Sequence, residues 1–415
     1  MFRMRLSSVL PSASTLTCCV VLLCSVTLTG CLSPIAMHRA VVEYDRTVDQ
    51  VEAELLLLNI ARARHYRPVH FTVVSSVAAT FDFRVNAGVT GRLGTVLNPD
   101  DRPVDLQYST SVAENPTITI VPIAGEEFTK RILRPLEESH FEFLVHQGFD
   151  INMLLRLMAR GLSLDGDDGR TVLLNAPGRR EEFAEFRRRL LHLSALDYAR
   201  KLYIEPVTFE EAFPVSLDRA LAPAEVVAAL DKGYRWSVPG KDQPQMLTRK
   251  VVGRIAITNY ELRRLSNEER RRLNEDIQRY PLDYVYVDIR HGFPGGEYPM
   301  RGAVLLRSFN AIISFVARGI AEEPGFHVEK DPRTGPVMRN PDHVLEIEES
   351  ASKPPDTEFS IEFEGKYYSI RKYPITGGMV PSWNQEAFAV LANLFQMTVT
   401  DVSNVKTPII SIPKG

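Results

Sequence analysis

Apolar side chains recur at helical spacing through HRAVVEYDRTVDQVEAELLLLNIARAR, residues 38 to 64, and the pattern then changes to alternation. The first stretch is rich in good helix formers and is followed by Pro68, so a helix is expected to end just before that proline. In HFTVVSSVAATFDFRVNAGVTG, residues 70 to 91, Phe81, Phe83, Val85, Ala87 and Val89 alternate with Asp82, Arg84, Asn86 and Gly88. That is the period of a strand with one polar face. VDLQYSTSVAENPTITIVPI, residues 104 to 123, places Ile118 and Ile120 between threonines. The intervening GRLGTVLNPDDRP has turn composition, so the two stretches predict a long antiparallel hairpin, in which Gly88, Gly91 and Gly94 either make the tip pliable or allow close backbone approach.

From Gly125 the period is helical again. EEFTKRILRPLEESHFEFLVHQGF predicts a helix interrupted near Pro135, and INMLLRLMARGL a second one capped by Gly161. LDGDDGR, residues 164 to 170, is expected to be a surface turn. In REEFAEFRRRLLHLSALDYARKL, Phe183, Phe186, Leu190, Leu193 and Leu196 share one face of a long amphipathic helix, and YIEPV continues as a strand. A short helix over 223–230 starts at Pro223, and TNYELRRLSNEERRRLNEDIQRY reads as a solvated helical stretch. YVYVDIR predicts a strand, HGFPGGEYPMRG a loop, and RSFNAIISFVARGIA a helix with an apolar stripe. Towards the end, LEIEE and FSIEFEGKYYSIRKY predict strands with a tight turn at Glu364-Gly365-Lys366. Ser382 to Gln385 has capping-box spacing for the helix WNQEAFAVLANLFQMTV.

Helices and hairpins are grouped rather than strictly alternating, which predicts an α+β protein of antiparallel hairpins with amphipathic helices packed against them. The expected divisions are a leader over 1–30, an N-terminal helix and long hairpin over 31–124, a mainly helical region over 125–280 and an α+β region over 281–415.

Composition adds a compartment. Arg3 and Arg5 precede an uncharged stretch from Val9 to Leu28, the make-up of an export signal, and Pro11 with several Ser and Thr argues against a permanent span. Leu28-Thr29-Gly30-Cys31 follows directly, and here the chain resembles the bacterial lipoprotein signal. The resemblance implies cleavage before Cys31 and acylation of that cysteine, palmitate included. In that resemblance, the absence of aspartate directly after Cys31 implies release to the outer membrane and leaves the leaflet open. The other cysteines, Cys18, Cys19 and Cys24, would leave with the leader, so neither a disulfide scaffold nor a thiolate site is expected in the mature chain. Several acyl chains make a durable anchor.

Loss of the leader would move the formal charge from -3 to -5, and no basic patch interleaved with aromatics is present, so no nucleic-acid partner is expected. The arginine runs 187–189 and 270–272 sit among glutamates and read as solvated helix faces.

Catalytic signatures are missing. The chain has no G-x-S-x-G elbow, no H-E-x-x-H and no phosphate loop, and its nine histidines are scattered. Asp165, Asp167 and Asp168 lack the closing glutamate of a calcium loop, so neither metal nor cofactor is expected. Tyr367, Tyr368, Tyr373 and Trp383 gather near the C-terminal hairpin, where they either contact a ligand or partner or pack that hairpin on the last helix.

LLLNIARAR, the VSSV strand, NPTITIVPIAGEEFTKRILRPL, LRSFNAIISFVARG and NQEAFAVLANLFQM together resemble a family of exported bacterial proteins to which no activity is attached. The expected function is therefore that of a lipid-anchored envelope protein with a structural or scaffolding role, associating with itself or with other envelope proteins, and not an enzyme. A periplasmic binding module for peptidoglycan, glycan or peptide is the alternative, and an envelope enzyme of unknown class the third.

Overall fold

The first helix, α1, runs over Ala13–Arg64 and stops where Tyr66 takes a positive φ, two residues before Pro68. The computed structural model describes residues 13–90, 105–166, 169–214, 223–237, 246–355, 357, 359–371 and 383–399, with side chains given for fewer of them in 13–40 and 73–121. The chain forms two compact units. One holds the described residues up to Leu55 and those from Thr72 to Pro122; the other holds Leu56–Phe71 and the described residues from Ile123 onward.

In the first unit β1 (Phe71–Thr90) and β2 (Asp105–Ile123) form a two-stranded sheet. This is the hairpin that alternation predicts, and its tip lies outside the described residues.

The second unit is α+β. Its helices are α2 (Glu126–Leu133), α3 (Glu138–His146), α4 (Ile151–Met158), α5 (Arg180–Tyr198), α6 (Pro223–Asp231), α7 (Asn267–Gln278), α8 (Phe309–Gly319) and α9 (Trp383–Val399). The larger sheet contains β3 (Ala159–Gly166), β4 (Gly169–Leu174), β5 (Tyr203–Pro214), β6 (Arg235–Ser237), β7 (Met246–Thr258), β8 (Tyr284–Ile289) and β9 (Met300–Leu306). Its order is β4-β3-β9-β8-β7-β5, with β6 on β7. Only β7 and β8 pair in parallel there, joined through α7, whereas the other pairs are antiparallel. Strands on both sides of residue 280 share this sheet. A smaller antiparallel sheet, β10-β12-β11, uses Ile347–Ser350, Lys366–Ile370 and Ser360–Phe363. Glu364 and Gly365 both have positive φ between the paired Phe363 and Lys366, the backbone of a type I′ turn.

Three segments depart from the sequence expectation. INMLLRLM ends as a helix at Met158, and ARGL belongs to β3 rather than to a glycine-capped helix. Residues 151–159 are all buried, so neither a 3.6 nor a 2.0 period marks the change. Gly161 is there for close strand approach: a Cβ on it would lie 2.7 Å from the Leu173 carbonyl oxygen. MRGAVLL, partly assigned to a loop, is the central strand β9, and Gly302 lets β3 pass so closely that a Cβ would sit 1.9 Å from the Ser163 oxygen. TNYEL is not helical at its start, because β7 extends to Thr258 and α7 begins only after Ser266, which forms a capping box with Glu269.

Phe71 anchors one part of the core, with Phe395 stacked on it at 5.2 Å and Phe128 and Phe309 at 5.9 and 5.8 Å. It thus packs together side chains of α2, α8 and α9. On the large sheet, Leu273 and Ile277 of α7 bury against Val207, Ala256, Tyr286 and Ala303. Leu273 and Ile277 each contribute on the order of 1.5–3 kcal/mol through burial.

Candidate functional site

Two features of the fold are built in ways that core packing alone does not require. The first is the β1–β2 hairpin. Its strands have 20 and 19 residues, and among the described residues no third strand pairs with either. Each strand therefore presents a row of backbone donors and acceptors along its outer edge, and a two-stranded sheet alone is marginal in water.

The second feature is a set of buried guanidinium groups. Arg156 on α4 and Arg187 on α5 are 1% and 2% exposed. Arg187 is thus not part of a solvated face as its run of arginines predicts, although Arg271 and Arg272 of the other run are exposed. Arg187 lies four residues from both Phe183 and Leu191, which puts it within the apolar stripe of α5, and this spacing was the signal in the sequence. Arg156 was marked differently, as the single charge in INMLLRLM.

Both side chains hold the irregular segment 339–345. Arg156 donates from Nε to Asn152 Oδ1 at 2.7 Å, from Nη1 to the Pro341 carbonyl at 2.6 Å and from Nη2 to Asn340 Oδ1 at 2.7 Å. Arg187 donates from Nη2 to the same Pro341 carbonyl at 2.8 Å and to Asn340 Oδ1 at 3.3 Å, and from Nη1 to the Asp342 carbonyl at 3.3 Å. A third guanidinium, Arg307, donates to the carbonyls of Leu157 and Asn175 and lies over the Phe315 ring. Burial lowers the pKa of Arg156 well below its usual value, that of Arg187 to about 10 and that of Arg307 to about 9. Arg254 makes the contrast: it is also buried, but Glu138 meets it with both carboxylate oxygens at 2.9 and 3.0 Å.

Trp383 belongs to this frame. Its Nε1–H donates to the Val344 carbonyl at 2.8 Å, and the guanidiniums of Arg156 and Arg339 lie 5.4 and 4.9 Å from its ring. Only 8% of it is exposed. Tyr368 is fully buried and bonded to His65 and Glu349, and Tyr367 is half-buried on the same strand. Trp383 and Tyr368 are therefore occupied by this chain's own groups. Tyr373, Ser382, Asp167, Asp168 and the Cys31 side chain lie outside what is described.

An open cleft of about 410 Å3 adjoins Arg339 and is lined by Phe149, Asp150, Asp197, Tyr198 and Glu386. Arg339 bridges Asp150 at 3.2 Å and Glu386 at 2.7 Å. Burial, with Asp150 nearby, raises the pKa of Asp197. Among the described residues no group of three or more His, Cys, Asp or Glu is arranged to hold a metal, and no helix is long and apolar enough to cross a membrane.

No family model matches the chain, and no curated protein or solved structure matches it.

Proposed function

We propose that this is a lipid-anchored protein of the bacterial cell envelope, held in the outer membrane through acylated Cys31, whose role is structural: copies of the chain assemble through their β1–β2 hairpins. The observation that carries the reading is a long hairpin with which, among the described residues, no third strand pairs, so that both its edges are open there. Pairing with the hairpins of neighbouring copies satisfies those edges, and closure into a ring removes them altogether. At about 3.3 Å per residue each strand extends roughly 65 Å, more than twice the hydrocarbon thickness of a bilayer. The alternation from Phe81 to Val89 supplies one apolar and one polar face, as a closed barrel requires.

Deleting residues 92–103 tests this reading. The expected result is a drop in native mass with unchanged thermal unfolding of the second unit. An unchanged native mass would contradict it.

A second reading, a binding module for peptide or glycan, rests on the cleft beside Arg339 with its Tyr198 and Phe149 lining. It predicts that Tyr198→Ala abolishes retention on peptidoglycan while leaving native mass unaltered.

A further inference from the structure

Buried charges in proteins are paired or they coordinate ions, because an isolated ion loses several kcal/mol of solvation. Arg254 obeys this through Glu138. Arg156 and Arg187 do not: among the described residues neither makes an ion pair, and the like charge of Arg187 further disfavours the charged form of Arg156. Backbone carbonyls and Asn340 give them partial charges but no counter-ion. Asp342 acts on both from beyond contact; its carboxylate is half exposed and engages His327 Nδ1 at 3.0 Å. Asp150, which also acts on Arg156, is committed to Arg339 and to the first turn of α4.

Arg156 and Arg187 line one small, partly open cavity of about 30 Å3, together with Phe183, Phe315, Val316 and Leu345. Glu323 and Asp342 also line it, both partly exposed. The space is about that of a single water-sized guest. Arg187 Nε, buried with its residue 2% exposed, has no hydrogen-bond partner. Arg156 uses three contacts out of the five N–H bonds a guanidinium offers, so it too has donors to spare. Two cations, one of them with an unmet N–H, thus line one void of atomic size, together with apolar side chains of α5 and α8.

We infer that the cavity between α4, α5 and α8 is a binding site for one small monovalent anion of halide size, chloride in ordinary solution, held by the Arg187 Nε–H and the spare N–H groups of Arg156. The anion neutralises the pair and thereby fixes the 339–345 segment that both arginines hold. The site stands independently of the lipid anchor and of hairpin assembly.

The full chain, exchanged into sodium gluconate, is titrated with sodium bromide at constant ionic strength while thermal unfolding is followed, and crystals grown in bromide are measured at the bromine edge. Saturable stabilisation is expected, with the folding equilibrium constant rising about tenfold at ten times the dissociation constant. An anomalous peak against Arg187 Nε is expected alongside it. Arg187→Gln should lose the bromide-specific stabilisation; if that variant does not fold, the anomalous map of the unaltered chain decides alone. Identical unfolding in gluconate and bromide, or an anomalous map with no peak in the cavity, would overturn the inference.

Discussion

The Nε2 of His65 lies 2.6 Å from the phenolic oxygen of Tyr368, a residue 303 positions further along the chain. Nδ1 of the same ring is 3.1 Å from the Glu364 carboxylate, and the Tyr368 hydroxyl donates to Glu349 Oε2 at 3.3 Å. Burial, and then the Glu349 carboxylate, push the Tyr368 pKa up to about 12, so the phenol stays protonated at physiological pH. The contact ties the end of α1 to the small C-terminal sheet. Tyr368→Phe is expected to cost about 1–2 kcal/mol in urea unfolding, the loss of a buried hydrogen bond, with native mass unaltered. A stability equal to that of the parent would show the contact to be dispensable.

The Arg254–Glu138 pair should show the asymmetry of buried ions. Arg254 donates to the carbonyls of Ile277, Tyr280, Pro281 and Tyr284 as well as to Glu138, and so joins β7 to the end of α7, the start of β8 and the start of α3. Glu138→Ala strands the guanidinium and is expected to cost about 3–5 kcal/mol. The double variant with Arg254→Met should recover part of that loss, measured by the same urea midpoints. A double variant less stable than the sum of the two single losses would refute the assignment.

His192 gives the fold an acid limit. It is buried; with the proton on Nε2 it donates to the Gly295 carbonyl at 2.8 Å, and Nδ1 accepts from the Thr334 hydroxyl at 3.2 Å. Burial is the largest influence and lowers its pKa below the ordinary histidine value, despite the opposing Gly295 bond. The folded state therefore favours the neutral ring, the unfolded chain binds the extra proton more readily, and stability falls as pH drops below about 6.5. The urea midpoint should fall between pH 7 and pH 5 by more in the parent than in His192→Gln. Equal pH dependence in the two proteins would exclude His192 as the cause.

Cys31→Ser should release the protein from the membrane fraction into the soluble periplasmic extract. A variant that stays as firmly bound as the parent, with its N-terminus uncut, would contradict anchoring by lipid.

The sequence made plain those parts of the fold whose two faces differ in polarity. The hairpin at 71–123, α5 and the Glu364-Gly365 turn all carry a period or a turn signature and were legible. β3 and β9 were not, because β9 and the first half of β3 are largely buried and their glycines, Gly161 and Gly302, serve close strand approach and not a cap or loop. The buried arginines were hidden for a related reason: charge predicts exposure, and only the i, i+4 placement of Arg187 after Phe183 speaks against it. Trp383 and Tyr368 were visible as an aromatic cluster, but which of their faces met solvent depends on residues far away in the sequence, Val344 and His65.

The central claim, that copies of the chain associate through an open-edged hairpin, is tested most directly by the native mass of the full-length lipidated protein extracted from envelopes in mild detergent. A discrete homo-oligomer, reduced to smaller species when residues 92–103 are removed, is the predicted result. A monomer at every protein concentration would contradict the account.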